Sequence, residues 1–213
     1  MPHGRVFGGQ VLSQSLVAAS RTIDAGRPVH SLHSYFLRPG DVAKPIEFEV
    51  DILRDGRSFS ARRVQASQEG KAIFSMIASF QDPSGGMSHS DAMPENLPEP
   101  EDLPSAAAIL ANFDHPITNY WAKARPFDLR HTAEPVYLSA AKEQSAKQCV
   151  WFKPITQLPA DDGVEIASLA YASDYSILES IMRRHGVSWA HKGLSSASLD
   201  HAMWFHQKPD FSD

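Results

Sequence analysis

The sequence predicts an α+β protein in which a helix and its following strand occur twice along the chain. Three observations carry this. Apolar spacing changes from a helical period to a two-residue period within the first eighty residues. The block Ser31-Leu-His-Ser-Tyr-Phe-Leu-Arg-Pro39 returns as Ser198-Leu-Asp-His-Ala-Met-Trp-Phe-His-Gln-Lys-Pro209. Between the two lies a stretch, Asp82 to Ser105, with six acidic residues, five prolines and no Lys or Arg. Such a segment runs over a surface rather than through a core. The chain accordingly divides into a first repeat at 1–81, an acidic Pro-rich linker and connecting segment at 82–127, and a second repeat at 128–213.

Leu12, Leu16, Ala19 and Ile23 recur at helical spacing, which predicts an amphipathic helix over Gly8 to Ile23, ended by Gly26, Arg27 and Pro28. Ser31 to Leu37 is expected as a buried strand. Ile46, Phe48, Val50 and Ile52 alternate with Glu47, Glu49 and Asp51, the pattern of a half-buried strand. Asp55-Gly56 turns the chain. Phe59 and Ala61, then Val64 and Ala66, predict a strand whose phase slips at Arg62-Arg63, as at a bulge. Phe74, Met76, Ala78 and Phe80 form the inward face of the next strand. One helix wrapped by such a sheet is the hot-dog plan. In the second half, Asp162 with Glu165 predicts a capping box. Ile166, Leu169, Ala170 and Ser173 continue as a helical stripe. Ser198 to His206 is expected as a strand, and Gln148 to Phe152 supplies a strand before the helix. After Pro39 the first repeat continues for 42 residues, whereas four follow Pro209, so the second hot dog is expected to be incomplete and the chain shortened at both ends.

Composition narrows the function. Lys and Arg total 20, Asp and Glu total 25, and the net charge is -5, which disfavours a general nucleic-acid binder. No apolar run reaches the roughly 20 residues that span a bilayer. Cys149 is the single cysteine, so no internal disulfide forms and a reducing compartment is expected. It sits in an apolar run beside Val150, Trp151 and Phe152, which predicts a buried core residue rather than a nucleophile. His30 with His33, and His201 with His206, fall on opposite strand faces by alternation, which argues against zinc. No Gly-x-Ser-x-Gly elbow and no phosphate-binding Gly-rich loop is present. Neither metal nor cofactor is expected.

Six blocks, in order from residue 5 to residue 206, resemble the acyl-CoA thioesterase II family. They are Arg5-Val-Phe-Gly-Gly-Gln10, His30 to Gly40, Arg54-Asp-Gly-Arg-Ser-Phe-Ser60, Ile73 to Gln81, Ala170-Tyr-Ala-Ser-Asp174 and Ser198 to His206. The resemblance implies a double hot-dog hydrolase that cleaves fatty acyl-CoA to free acid and CoA, with acyl-CoA as its partner and a homo-oligomer as its assembly. It implies an intracellular protein, peroxisomal in a eukaryote and cytoplasmic in a bacterium; no targeting signal is evident in the chain. It also implies an Asp, a hydroxyl residue and a Gln that orient and activate water. The Asp falls on Asp174 and the hydroxyl on Ser198. The Gln falls beyond residue 213; its first-repeat counterpart, Gln81, is not at the family's catalytic position.

The residues themselves leave alternatives. A carboxylate at a helix end is ordinarily a cap or a solvated group. By alternation Ser198 shares a strand face with Asp200, Ala202 and Trp204, which makes Asp200 a rival base. Gly8-Gly9 either presents N–H groups to an anion or allows close helix–sheet packing. Arg54, Arg57, Arg62 and Arg63 either meet CoA phosphates or decorate a solvated hairpin. Two further functions compete with hydrolysis: an inactive hot-dog fragment retaining acyl-CoA binding or dimerisation only, and a hot-dog hydratase or dehydratase.

Overall fold

The computed structural model describes residues 4–211. In chain order its elements are α1 (Gly8–Ser20), β1 (Val29–Phe36), β2 (Glu47–Asp55), β3 (Phe59–Gln68), β4 (Lys71–Gln81), α2 (Ala106–Leu110), α3 (Pro116–Lys123), β5 (Phe127–His131), β6 (Val150–Pro154), α4 (Asp162–Ser173), α5 (Glu179–Arg184) and β7 (Asp200–Trp204), with a 3-10 turn at Pro100–Asp102. They form two compact units. The first holds the described residues up to Met87, Leu158–Asp174 and the described residues from Ala197; the second holds Ser88–Gln157 and Tyr175–Ser196. Among the described residues no helix is long and apolar enough to cross a membrane.

The first unit is an antiparallel sheet of order β2-β3-β4-β1-β7 with α1 on one face. The buried stripe Val11, Leu12, Leu16 and Ala19 of α1 meets Val64, Ala66, Phe74, Met76, Ala78 and Phe80 in one core. Each large side chain buried there contributes roughly 1.5–3 kcal/mol. The two repeated sequence blocks are neighbours in space: β1 pairs antiparallel with β7, Ser34 opposite His201. The two repeated helices also meet, α4 lying on α1 through Ile166, Ala167 and Ala170. Small residues permit this approach, since a Cβ on Gly9 would stand 2.4 Å from the Tyr171 carbonyl oxygen.

Several local expectations need correction. The first helix ends at Ser20 rather than Ile23, because Thr22 folds back with its N–H and its hydroxyl on the Ala19 carbonyl. The phase of β3 does not slip at Arg62-Arg63. Ser60, Arg62, Val64, Ala66 and Gln68 point inward without interruption, and Phe59 is 45% exposed. The irregularity lies instead in the partner strand, between Ile52 and Arg54. Three inward positions of β3 are polar because each has a partner; Gln68 donates Nε2 to the Asp41 and Lys44 carbonyls. Ser60 Oγ accepts from Arg27 Nη1 at 2.7 Å, and Arg27 also forms an ion pair with Asp82 at 2.6 Å. Arg62, only 2% exposed, donates Nη2 to the Thr22 carbonyl at 2.9 Å and Nε to the Thr22 hydroxyl at 2.8 Å. It also pairs with Asp55 at 2.8 Å. A cation at the negative end of α1 is where the helix dipole favours it. The cap of α4 is Asp161, not Asp162: its Oδ1 accepts from the N–H groups of Gly163 and Val164. Glu165 instead meets Lys208 at 2.7 Å.

The second unit holds the β5–β6 pair with α2, α3 and α5. The expected strand Gln148 to Phe152 is displaced to Val150–Pro154, and Cys149 is half-buried rather than a core residue, its carbonyl accepting from Thr132. Within residues 82–127, an exposed loop leads into α2, whose cap is Ser105. The polar centre of this unit is Glu179, buried at 1% exposure. It accepts from His131 Nε2, Gln148 Nε2 and Trp189 Nε1. Nearby, burial pushes the Tyr137 hydroxyl up to about 12.

The inward arginine gives a sharp contrast between adjacent residues. Arg62→Ala leaves the Thr22 and Arg54 carbonyls without their donor and opens a void, so it should lower unfolding stability by about 2–4 kcal/mol. Arg63→Ala removes only an exposed pair with Asp51 and should change stability by less than about 1 kcal/mol. Urea unfolding of both variants checks this.

Candidate active site

The N-terminus of α1 has no cap of its own: its N-cap residue is Phe7, which makes no side-chain cap bond. The missing acceptor comes from 165 residues away. Asp174 Oδ2 accepts from the Gly9 N–H at 2.8 Å. Asp174 stands at the C-cap of α4, where that helix's own dipole disfavours a negative charge. The positive end of α1 compensates. Gly8 leaves room for the carboxylate, since a Cβ there would lie 2.6 Å from Oδ2 and 3.1 Å from the Phe36 ring.

The other carboxylate oxygen, Oδ1, accepts from the Ser198 hydroxyl at 3.2 Å. His201 Nδ1 lies 3.8 Å from the same oxygen. His201 Nε2 is 3.1 Å from the Ser173 hydroxyl. The Asp174 and His201 side chains are 5% and 4% exposed, and Ser198 is half-buried. Burial is the largest influence on Asp174 and raises its carboxyl above the usual value; His201, the Gly9 N–H and the Ser198 hydroxyl oppose it. Burial likewise lowers the His201 imidazole, against the pull of Asp174 and Asp200. Each group is thus held back from charging by desolvation and drawn toward it by the other.

The structure brings Asp174 and Ser198 together but corrects the face assigned to Ser198. Ser198 precedes β7, which begins at Asp200, so strand alternation does not apply to it. Within β7 the inward residues are His201 and Met203, whereas Asp200, Ala202 and Trp204 are exposed. Asp200 is therefore not a rival base beside Ser198. His201 and Ser173 were not assigned to the site from the sequence; the inward phase of His201 with Met203 is the signal that finds His201, whereas Ser173 lies in α4 and is found through its contact with that ring. Gly8-Gly9 combines both readings, since the anion at the helix N-terminus is the protein's own Asp174. Gln81 ends β4 and donates to Ser84. Of the arginine cluster, Arg62 and Arg63 are paired internally, while Arg54 and Arg57 stay exposed. His30 and His33 are both exposed, not on opposite faces, because the register with β4 is irregular between Val29 and Ser31. Their rings meet Phe59 and Trp204 respectively. Among the described residues no group of three or more His, Cys, Asp or Glu side chains is arranged to hold a metal.

Comparison with known proteins gives the chain's family. Residues 1–81 match the acyl-CoA thioesterase N-terminal domain, and residues 126–213 match the acyl-CoA thioesterase family. The chain is 36% identical over 212 residues to acyl-CoA thioesterase 2 of Haemophilus influenzae, covering 98% of this chain and 73% of that protein. The chain belongs to the acyl-CoA thioesterase II family. A crystal structure of the acyl-CoA thioesterase II of Mycobacterium marinum is similar at 40% identity and a TM-score of 0.71, covering 95% of this chain and 71% of that one. A hot-dog protein of Alicyclobacillus acidocaldarius shares the fold at 20% identity, with a TM-score of 0.75 and coverage of 97% and 70%. The α+β hot-dog class expected from the sequence therefore holds, with a full first hot dog and a small second sheet. So does membership of a thioesterase family of hydrolases.

The close approach of α1 to α4 and Asp174 gives two predictions. Gly9→Ala drives a methyl group into backbone and should lower stability by about 1–3 kcal/mol, whereas Gly8→Ala meets only side chains and should cost less while displacing the Asp174 carboxylate. Thermal unfolding of the two variants, with a crystal structure of the second, checks both. The raised Asp174 carboxyl fixes a sign as well. Folding disfavours its ionisation, so its contribution to stability is full below the unfolded carboxyl value and is lost as pH rises through the folded value. Asp174→Asn removes that loss. Its urea midpoint relative to the unsubstituted protein should therefore be higher at pH 7 than at pH 3.5.

Proposed function

We propose that this chain hydrolyses fatty acyl-CoA thioesters to free acid and CoA, with Asp174 as general base and Ser198 as the hydroxyl that orients the attacking water. The observation that carries this reading is the Asp174 carboxylate, buried yet held on one oxygen by Gly9 N–H and on the other by Ser198. The relationship to acyl-CoA thioesterases supports the substrate class.

The chemistry follows from what a thioester needs. Its carbonyl is already activated, so the reaction needs a positioned water, a base and donors for the oxyanion. Asp174 accepts a proton from water as the water oxygen bonds to the acyl carbon. The tetrahedral intermediate collapses with cleavage of the C–S bond and departure of CoA as thiolate. Thiols ionise near pH 8.5, so the thiolate leaves readily; it takes a proton from solvent and Asp174 gives its own up to solvent, which restores the base. Ser198 has one proton and two lone pairs: it donates to Oδ1 and accepts from the water. The fixed carboxylate oxygens hold the base in one orientation. No covalent acyl-enzyme is formed.

Thiol release from a panel of saturated acyl-CoAs tests this. Asp174→Asn should lower kcat by roughly 10²–10⁴-fold, and Ser198→Ala by less. Because the base must be ionised and burial raises its carboxyl, the acid limb of the rate should fall at a pH above the ordinary Asp value. An Asp174→Asn variant as fast as the unsubstituted protein would contradict the role of Asp174. Binding of acyl-CoA without any thiol release, in folded protein, would favour a non-enzymatic binding module.

A further inference from the structure

We propose that His201 is a positioning residue for the Asp174 carboxylate: neutral, it presents Nδ1–H toward Oδ1 and accepts the Ser173 hydroxyl proton at Nε2. The inference rests on the reading of Asp174 as the base.

The proton count at Ser173 decides the tautomer. The Ser173 hydroxyl lies 3.1 Å from His201 Nε2, 2.9 Å from the Ala170 carbonyl and 3.5 Å from Met203 Sδ. It has one proton to give. If that proton goes to Ala170, Nε2 must carry hydrogen to bond Ser173, and the bare lone pair of Nδ1 faces the carboxylate 3.8 Å away. A lone pair opposed to an anion in a buried site is repulsive. If instead Ser173 donates to Nε2, the proton of the neutral ring sits on Nδ1 and its dipole points at Oδ1. The charge on Asp174 selects the second arrangement.

The surroundings leave this pairing little competition. From α4 the charged group facing the ring is Asp174, and on its own strand the neighbour is Asp200, which is exposed. From β1 the residue opposite is Ser34, whose hydroxyl holds the His201 carbonyl at 2.8 Å and pins the backbone. At 4% exposure the ring is costly to protonate, in line with its lowered imidazole value. It therefore acts as an oriented dipole rather than as a cation. Together with Gly9 N–H and Ser198, it makes a third group that favours the ionised base without adding a charge.

The test reads the tautomer directly. Imidazole nitrogen NMR of 15N-histidine-labelled protein at pH 7.5, with His201 assigned by its loss in His201→Asn, should show the Nδ1–H form. In Asp174→Asn the charge is gone and the side-chain amide can donate to Nδ1, so the Nε2–H form should dominate. An Nε2–H ring in the unsubstituted protein, or one tautomer common to both, would overturn the proposal. This arm needs no turnover. Kinetics supply a second arm. His201→Gln, which lacks a donor at the Nδ1 position, should lower kcat by about ten- to a hundredfold with little change in KM, and move the acid limb upward. His201→Asn, which places an N–H near Nδ1, should restore most of the rate. Equal losses with an unmoved acid limb would overturn the positioning role. Absence of hydrolysis in the unsubstituted protein would count against the proposed function alone, since the nitrogen spectra still decide on His201.

Discussion

The contact between the Asp174 carboxylate and the uncapped N-terminus of α1 is the constraint on which the rest of the first unit depends. A buried carboxylate is expensive unless its oxygens are bonded. Gly9 N–H satisfies one oxygen and Ser198 the other. For Asp174 to reach Gly9, α4 must lie close against α1, which the small residues Ala167 and Ala170 and the absence of a side chain at Gly9 permit. For Ser198 to reach Asp174, the chain entering β7 must be fixed, and pairing of β7 with β1 fixes it. The two repeats are thus joined through a helix pair and a strand pair, and the candidate site stands where both junctions meet.

Helix α1 carries complementary charge at both ends. Asp174 meets its positive end, and Arg62 meets the carbonyl and hydroxyl of Thr22 just past its negative end. Both charges come from other elements, so the helix is oriented by partners distant in sequence as well as by its apolar stripe. The apolar stripe fixes which face of α1 lies on the sheet. The charges favour one direction along it, because reversal would set a carboxylate against carbonyl oxygens and a guanidinium against N–H groups.

What was legible in the sequence follows the range of the interactions. The Leu12–Leu16–Ala19 stripe and the alternation through Phe74–Phe80 are local patterns, and the elements form where those patterns lie. The expectation failed where an inward residue is polar. In β3, Ser60 and Arg62 face the core for the sake of Arg27 and Thr22, partners no local pattern reveals, so the apolar residues Phe59 and Ala61 misled the phase. In the site, the resemblance supplied Asp174 and Ser198. The local pattern misplaced Ser198, because a residue before the strand does not obey the strand's alternation. Strand phase turns His201 inward and the Gly8-Gly9 pair offers N–H groups at a helix start, but the partner of both, Asp174, lies in a distant part of the chain and no local pattern names it.

Asp174 is a buried carboxylate poised between desolvation and its hydrogen-bond donors. The most direct measurement is a 13C NMR titration of its carboxyl carbon, assigned by its absence in Asp174→Asn. The expected midpoint lies above the ordinary Asp value of about 3.9 and rises further in Ser198→Ala as a donor is lost. A midpoint at or below that value, unmoved by loss of the Ser198 hydroxyl, would contradict it.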